Sequence, residues 1–211
     1  MIRWLACFLI LLPAAQAQAH PHVFVDTALR VEIDEAGRAT GIEVSWSYDD
    51  FFTLLIFEDM GLDPDGDAEL TEAELAALQG FDLDNWPEDF EGDLYVYAGE
   101  EKLALGTPEP RGVRVENGRI VSAHYRPLPE PPAADGLRIL QYDPTYYVAY
   151  EVTRGVELPA PCRAEVTKPD LDAAAEAMKQ ELATVPEDAF EVMEVGDLYA
   201  DRVTISCDPS S

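Results

Sequence analysis

Positive charge is scarce in this chain: 14 Lys and Arg stand against 42 Asp and Glu, a formal net charge of −28. Nucleic acid and anionic membrane surfaces both attract basic proteins, so the balance argues against either as a partner. Histidine and cysteine are just as sparse, at three each. Long apolar runs are missing too. The longest, Trp4 to Leu12, falls short of the ~20 residues a membrane span needs. There is no GxSxG, no HExxH and no P-loop, and these absences lead to the expectation of a protein that is not an enzyme. Apolar residues are not scarce, at 47%. The chain can therefore bury a core and should not be disordered.

The few histidines and cysteines fall at informative places. Arg3, the apolar stretch Trp4 to Leu12 and Ala17-Gln18-Ala19 have the three-part form of a cleaved secretory signal peptide over residues 1–19. Ala15-Gln16-Ala17 is an alternative cleavage site. Cys7 precedes most of the apolar stretch, which does not suit a lipoprotein. Cleavage after Ala19 leaves 192 of the 211 residues, beginning His20-Pro21-His22. Two cysteines then remain, Cys162 and Cys207. An even pair in an oxidising compartment suggests one disulfide, stabilising by about 4 kcal/mol in the chain-entropy model. A thiolate metal site is the alternative, but no CxxC or neighbouring His supports it.

Strand and helix signals are segregated rather than alternating, which predicts an α+β fold. Residues 22–33 alternate apolar and polar, a turn follows at Asp34 to Gly37, and 41–48 is a second strand. The mature terminus thus opens a β-hairpin. Asp49 or Asp50 caps a helix over 51–62, and a second helix runs from Thr71 to Leu78. Strands are expected near 94–98, 102–105, 112–116, 119–126, 137–142, 145–153, 162–167 and 201–207. A helix is expected over 169–184. The segment Pro127 to Pro132 reads as a stiff linker, dividing the mature chain into an α+β region, 20–127, and a β-rich region, 133–211.

Between the first two helices lies Asp63-Pro64-Asp65-Gly66-Asp67-Ala68-Glu69-Leu70-Thr71-Glu72-Ala73-Glu74. Oxygen-bearing side chains stand at positions 1, 3, 5, 9 and 12 of these twelve, with Leu70 at position 8. This is the EF-hand pattern. Ca²⁺ would take Asp63, Asp65, Asp67, Thr71 and a bidentate Glu74, with the backbone carbonyl of Glu69. Ala68 stands at position 6, where the sharp turn normally needs Gly. An Ala in a left-handed conformation costs on the order of 1 kcal/mol. No second such loop is evident; in the acidic run Asp82 to Asp93, Trp86 occupies position 5. A weak site is therefore expected, nearer roughly 10⁻⁴ to 10⁻³ M than a cytosolic sensor.

The cleaved terminus offers an α-amine and two imidazoles, donors that suit Zn²⁺, Ni²⁺, Co²⁺ or Cu²⁺. Pro21 has no amide proton, which blocks the square-planar amine-x-x-His mode. His20 and His22 would need further ligands. Asp26 shares a strand face with His22, and His124 is the one remaining histidine. A second reading is an enzyme holding copper through its N-terminal histidine, as oxidative polysaccharide-cleaving enzymes do. A third is a structural partner of a membrane transport complex.

The start His20 to Asp26, the strand end Ser45 to Phe52, the loop Asp63 to Leu75, Tyr142 to Glu151 and the late cysteines together resemble the "domain of unknown function 1007" family. The resemblance covers nearly the whole mature chain. It implies an exported, periplasmic component of an ABC-type system, linked to nickel, cobalt or zinc transport, with an inner-membrane metal transporter as partner. By motif match it points to His20, His22 and Asp49.

Overall fold

The computed structural model describes residues 21–87, 90–182 and 194–208. The expected signal peptide, its expected cleavage site and His20 lie outside them.

β1 (Val23–Ile33) buries every second residue, Val23, Val25, Thr27, Leu29 and Val31, and turns the others outward. The Asp34 carboxylate accepts the amides of Ala36 and Arg38, and Gly37 takes φ +75°, which reverses the chain. β2 (Ala39–Tyr48) returns antiparallel, Val25 opposite Tyr48 and Leu29 opposite Val44. Asp49 caps α1 (Asp50–Met60), which stops at Gly61 in the left-handed conformation. After the acidic loop, Thr71 caps α2 (Glu72–Leu78).

The remaining strands are β3 (Leu94–Ala98), β4 (Glu101–Lys102), β5 (Glu109–Glu116), β6 (Arg119–Pro127), β7 (Leu137–Gln141), β8 (Val148–Glu151), β9 (Val156–Glu157), β10 (Cys162–Thr167) and β11 (Arg202–Cys207). α3 (Leu171–Leu182) and a single 3-10 turn (Gly196–Tyr199) lie between the last two. The fold is α+β, dominated by strands. One sheet has the order β5-β6-β2-β1-β8, with β9 also on β1. The other has the order β10-β11-β7-β3-β4. Inner faces of both sheets supply one core, with Val25, Val44 and Ile120 from the first and Leu94, Ile139 and Ile205 from the second. Among the described residues, no helix is long and apolar enough to cross a membrane.

The proline-rich segment does not divide the strands between the sheets. β3 and β4 precede it yet pair in the second sheet, and β8 and β9 follow it yet pair parallel with β1 in the first. The segment itself is tied to β2, where Ala39 donates to the Pro132 carbonyl and Leu128 to that of Thr40. β5 starts earlier than the alternation suggested because Pro110 is accommodated at a register shift before Gly112, as proline in a strand requires. β9 is too short for its pattern to show in the sequence.

Cys162 and Cys207 are directly opposite in the β10–β11 ladder and form a disulfide.

Candidate metal centre

The loop between α1 and α2 is built by its own carboxylates. Asp63 takes φ +51°, and its two oxygens accept the amides of Asp67 and Ala68, each at 3.0 Å. Asp67 accepts the Glu69 amide at 2.8 Å, and Gly66 donates back to the Asp63 carbonyl. These bonds curl the chain so that one carboxylate oxygen each of Asp63, Asp65 and Asp67 lies within 4.8 Å of the other two. Among the described residues this is the one such set of three His, Cys, Asp or Glu donors. Ala68 sits at φ +61°, the conformation that a Cβ disfavours.

Glu74 closes the loop. One of its oxygens accepts the Asp63 amide at 3.2 Å. The other accepts the Thr71 amide at 2.8 Å and the Thr71 hydroxyl at 2.6 Å, completing a capping box. The Thr71 hydroxyl, then the two amides, hold the Glu74 carboxyl below its usual range. Asp65, Asp67, Glu69, Thr71 and Glu74 line an open depression. Leu62 and Leu70 anchor its underside to the core.

The donors expected for a transition metal are distributed differently. His20 lies outside the described residues. His22 is exposed just before β1, its ring 4.8 Å from that of Tyr147. Asp26 shares the outward face but is engaged: it accepts from Arg119 at 2.8 Å and from the Thr153 hydroxyl. Burial would raise its carboxyl, but these bonds outweigh that and hold it below the usual range. Asp49 is also occupied, accepting Phe52 N–H as the helix cap and Phe24 N–H from β1. His124 points the other way, opposite Val44 on the inner face of the sheet, and is fully buried. Its ring packs edge-on against Trp46 and Trp86, and neither ring nitrogen has a hydrogen-bond partner among the described residues. Burial, then the nearby Arg126 charge, pull His124 down to about 3, so it is neutral. The alternation of β6 placed His124 inward, so it does not join His22.

Sequence reasoning passed over the groups that accompany His124. Arg126 follows it by two residues, on the same inner face of β6. Asp93 accepts the Tyr150 hydroxyl at 2.9 Å, and burial pushes its carboxyl up to about 7. An arginine two residues after a strand's buried histidine is the one signal that could have found Arg126. Asp93 sits in an acidic run where nothing distinguishes it.

A family model described as "Protein of unknown function (DUF1007)" matches residues 5–207. No curated protein matches the chain.

Proposed function

This chain belongs to the DUF1007 family, and we propose that it is an exported, non-enzymatic divalent-metal-binding protein in which residues 63–74 form a structural Ca²⁺ site of EF-hand type. The observation that carries this reading is the convergence of the Asp63, Asp65 and Asp67 carboxylates. Three like charges so close repel one another, and a hard divalent cation relieves that repulsion with the oxygen ligands it prefers. The Asp63 bonds to the amides at positions 5 and 6 and the Thr71 cap at position 9 support the EF-hand register. Glu74 is committed to Thr71 and Asp63, so bidentate ligation must compete with those bonds. Together with Ala68, that makes the site weak.

The test is a Ca²⁺ titration by calorimetry and by melting temperature. Binding is expected in the roughly 10⁻⁴ to 10⁻³ M range. Glu74→Gln should weaken it at least tenfold, about 1.4 kcal/mol. Ala68→Gly should tighten it by about 1 kcal/mol through relief of the left-handed Ala. No heat and no shift in melting temperature at millimolar Ca²⁺ would remove the site.

The transport setting, service to an inner-membrane nickel, cobalt or zinc transporter, rests on the family resemblance and on an exposed His22 beside the expected new terminus. Its donors are the His20 amine and ring with the His22 ring. The same calorimetry with Ni²⁺ or Zn²⁺, on protein with a verified His20 start, tests it. One extra residue before His20, or His22→Ala, should each weaken binding about tenfold; wild-type affinity in both would end this reading.

A further inference from the structure

Arg126 is 4% exposed in a chain of net charge −28, yet it is not paired with a carboxylate among the described residues. Its Nε donates to the Gly106 carbonyl at 2.9 Å and its Nη1 to the Glu91 carbonyl at 2.6 Å. Its guanidinium carbon stands 5.3 Å from the centre of the Trp86 ring. Nη2, with two N–H groups, has no partner among the described residues. Burying a charge without an opposite one is costly, and two neutral carbonyls and an indole face offset only part of that.

Arg126 lines a cavity of about 560 Å³. Trp86, Phe90, Tyr95, Leu103 and Leu105 form its apolar walls. Among the described residues, Lys102 and Glu91 are the other charged groups of the lining, and Lys102 donates to both Glu91 oxygens at 2.9 Å. Among the described residues the lining thus carries two cations and one carboxylate. Gly92 keeps the arrangement compact: at its φ of +76° a Cβ would lie 2.5 Å from Arg126 Nη1 and 2.5 Å from the Trp86 ring. A concave space of this size, with apolar walls and a few convergent polar groups, has the form of a small-molecule site.

We infer that this cavity binds a small organic monocarboxylate with a planar apolar body, Arg126 taking the carboxylate and the rings of Trp86 and Phe90 taking the body. The open Nη2 is suited to a carboxylate, to which a guanidinium N–H makes a charge-assisted hydrogen bond. A single open nitrogen beside Glu91 suits one negative charge and disfavours phosphate or a dicarboxylate. The inference is independent of the Ca²⁺ reading, since none of these residues belongs to loop 63–74.

The experiment uses the mature chain in a chelator, with phenylacetate as probe and phenylacetamide as its neutral counterpart. Calorimetry and quenching of tryptophan fluorescence follow binding. Saturable phenylacetate binding is expected, with the amide and plain acetate each at least about tenfold weaker. Ala104, exposed on the rim, is replaced in Ala104→Trp. This should fill the mouth and abolish binding while leaving the melting temperature unchanged. Arg126→Lys should weaken the carboxylate more than the amide. No saturable binding at millimolar probe, equal affinity for acid and amide, or full binding by folded Ala104→Trp protein would each overturn the proposal.

Discussion

Two buried titratable groups face the same core and oppose each other. Burial pushes Asp93 up to about 7 from 3.8, so the unfolded chain releases a proton that the folded chain keeps. Its contribution to stability is complete below about pH 4 and is lost as pH rises through 7. Burial pulls His124 down to about 3 from 6.5, so the unfolded chain takes up a proton that the folded chain refuses. Its contribution is complete above about pH 6.5 and is lost as pH falls towards 3. Each effect is on the order of 4 kcal/mol at its limit, and in the wild type they cancel over much of the range. Asp93→Asn should therefore expose a stability that falls as the solution is acidified from pH 6.5 to 4. His124→Leu should expose one that falls as pH rises from 4 to 7. Urea unfolding at several pH values reads both slopes, and parallel profiles for the two variants would refute the assignment. Asp82, also raised by burial, adds to the Asp93 slope without reversing it.

At the scale of an element, α1 shows why an apolar pattern does not name a buried face. Its ends are specified by Asp49 as cap and Gly61 as terminator. Between them the run Phe51 to Phe57 is apolar but for Thr53, so no stripe distinguishes core from solvent. Packing buries Thr53 and Phe57, and the Thr53 hydroxyl accepts the Ile120 amide at 3.1 Å. Phe51, Leu54 and Leu55 remain 73%, 55% and 49% exposed. Leu54→Gln and Leu55→Gln should each change unfolding free energy by less than about 0.5 kcal/mol. Phe57→Ala should cost about 3 kcal/mol or more. Comparable losses for all three in urea unfolding would mean that the helix is rotated from the position described.

At the scale of the molecule, the last ladder is closed covalently. The Cys162–Cys207 bond spans 45 residues, including α3 and residues 183–193. It ties β10, the edge of the second sheet, to β11. Loop closure of that length stabilises by about 4 kcal/mol in the chain-entropy model. Reduction should lower the unfolding free energy by about that amount while β11 keeps its ladder to β7. A loss under about 1 kcal/mol would show that the unfolded chain is not restrained by the bond. The pairings β1–β8 and β3–β7 cross the proline-rich segment, so neither sheet is complete in either half alone.

The sequence by itself determined what depends on near neighbours. Asp49 as a cap, the Asp34 turn, the alternation of β1 and the loop residues 63–74 all act within a few positions, through hydrogen bonds and side-chain period. The positive φ of Ala68 follows from the loop pattern in the same way. The pairing of Cys162 with Cys207 was expected from their number once the predicted leader, with Cys7, is set aside. Tertiary structure decided what depends on which surfaces meet. The period of β6 places His124 and Arg126 on one face but does not say that Trp86, from a distant loop, will cover both. Asp26 could be read as a ligand until Arg119 and Thr153 came to it from elsewhere in the chain. The two-residue β9 has too little pattern to be seen in sequence and exists because β1 offers it an edge. Local hydrogen bonds need only the residues that make them, whereas burial, charge pairing and sheet order need the whole chain assembled.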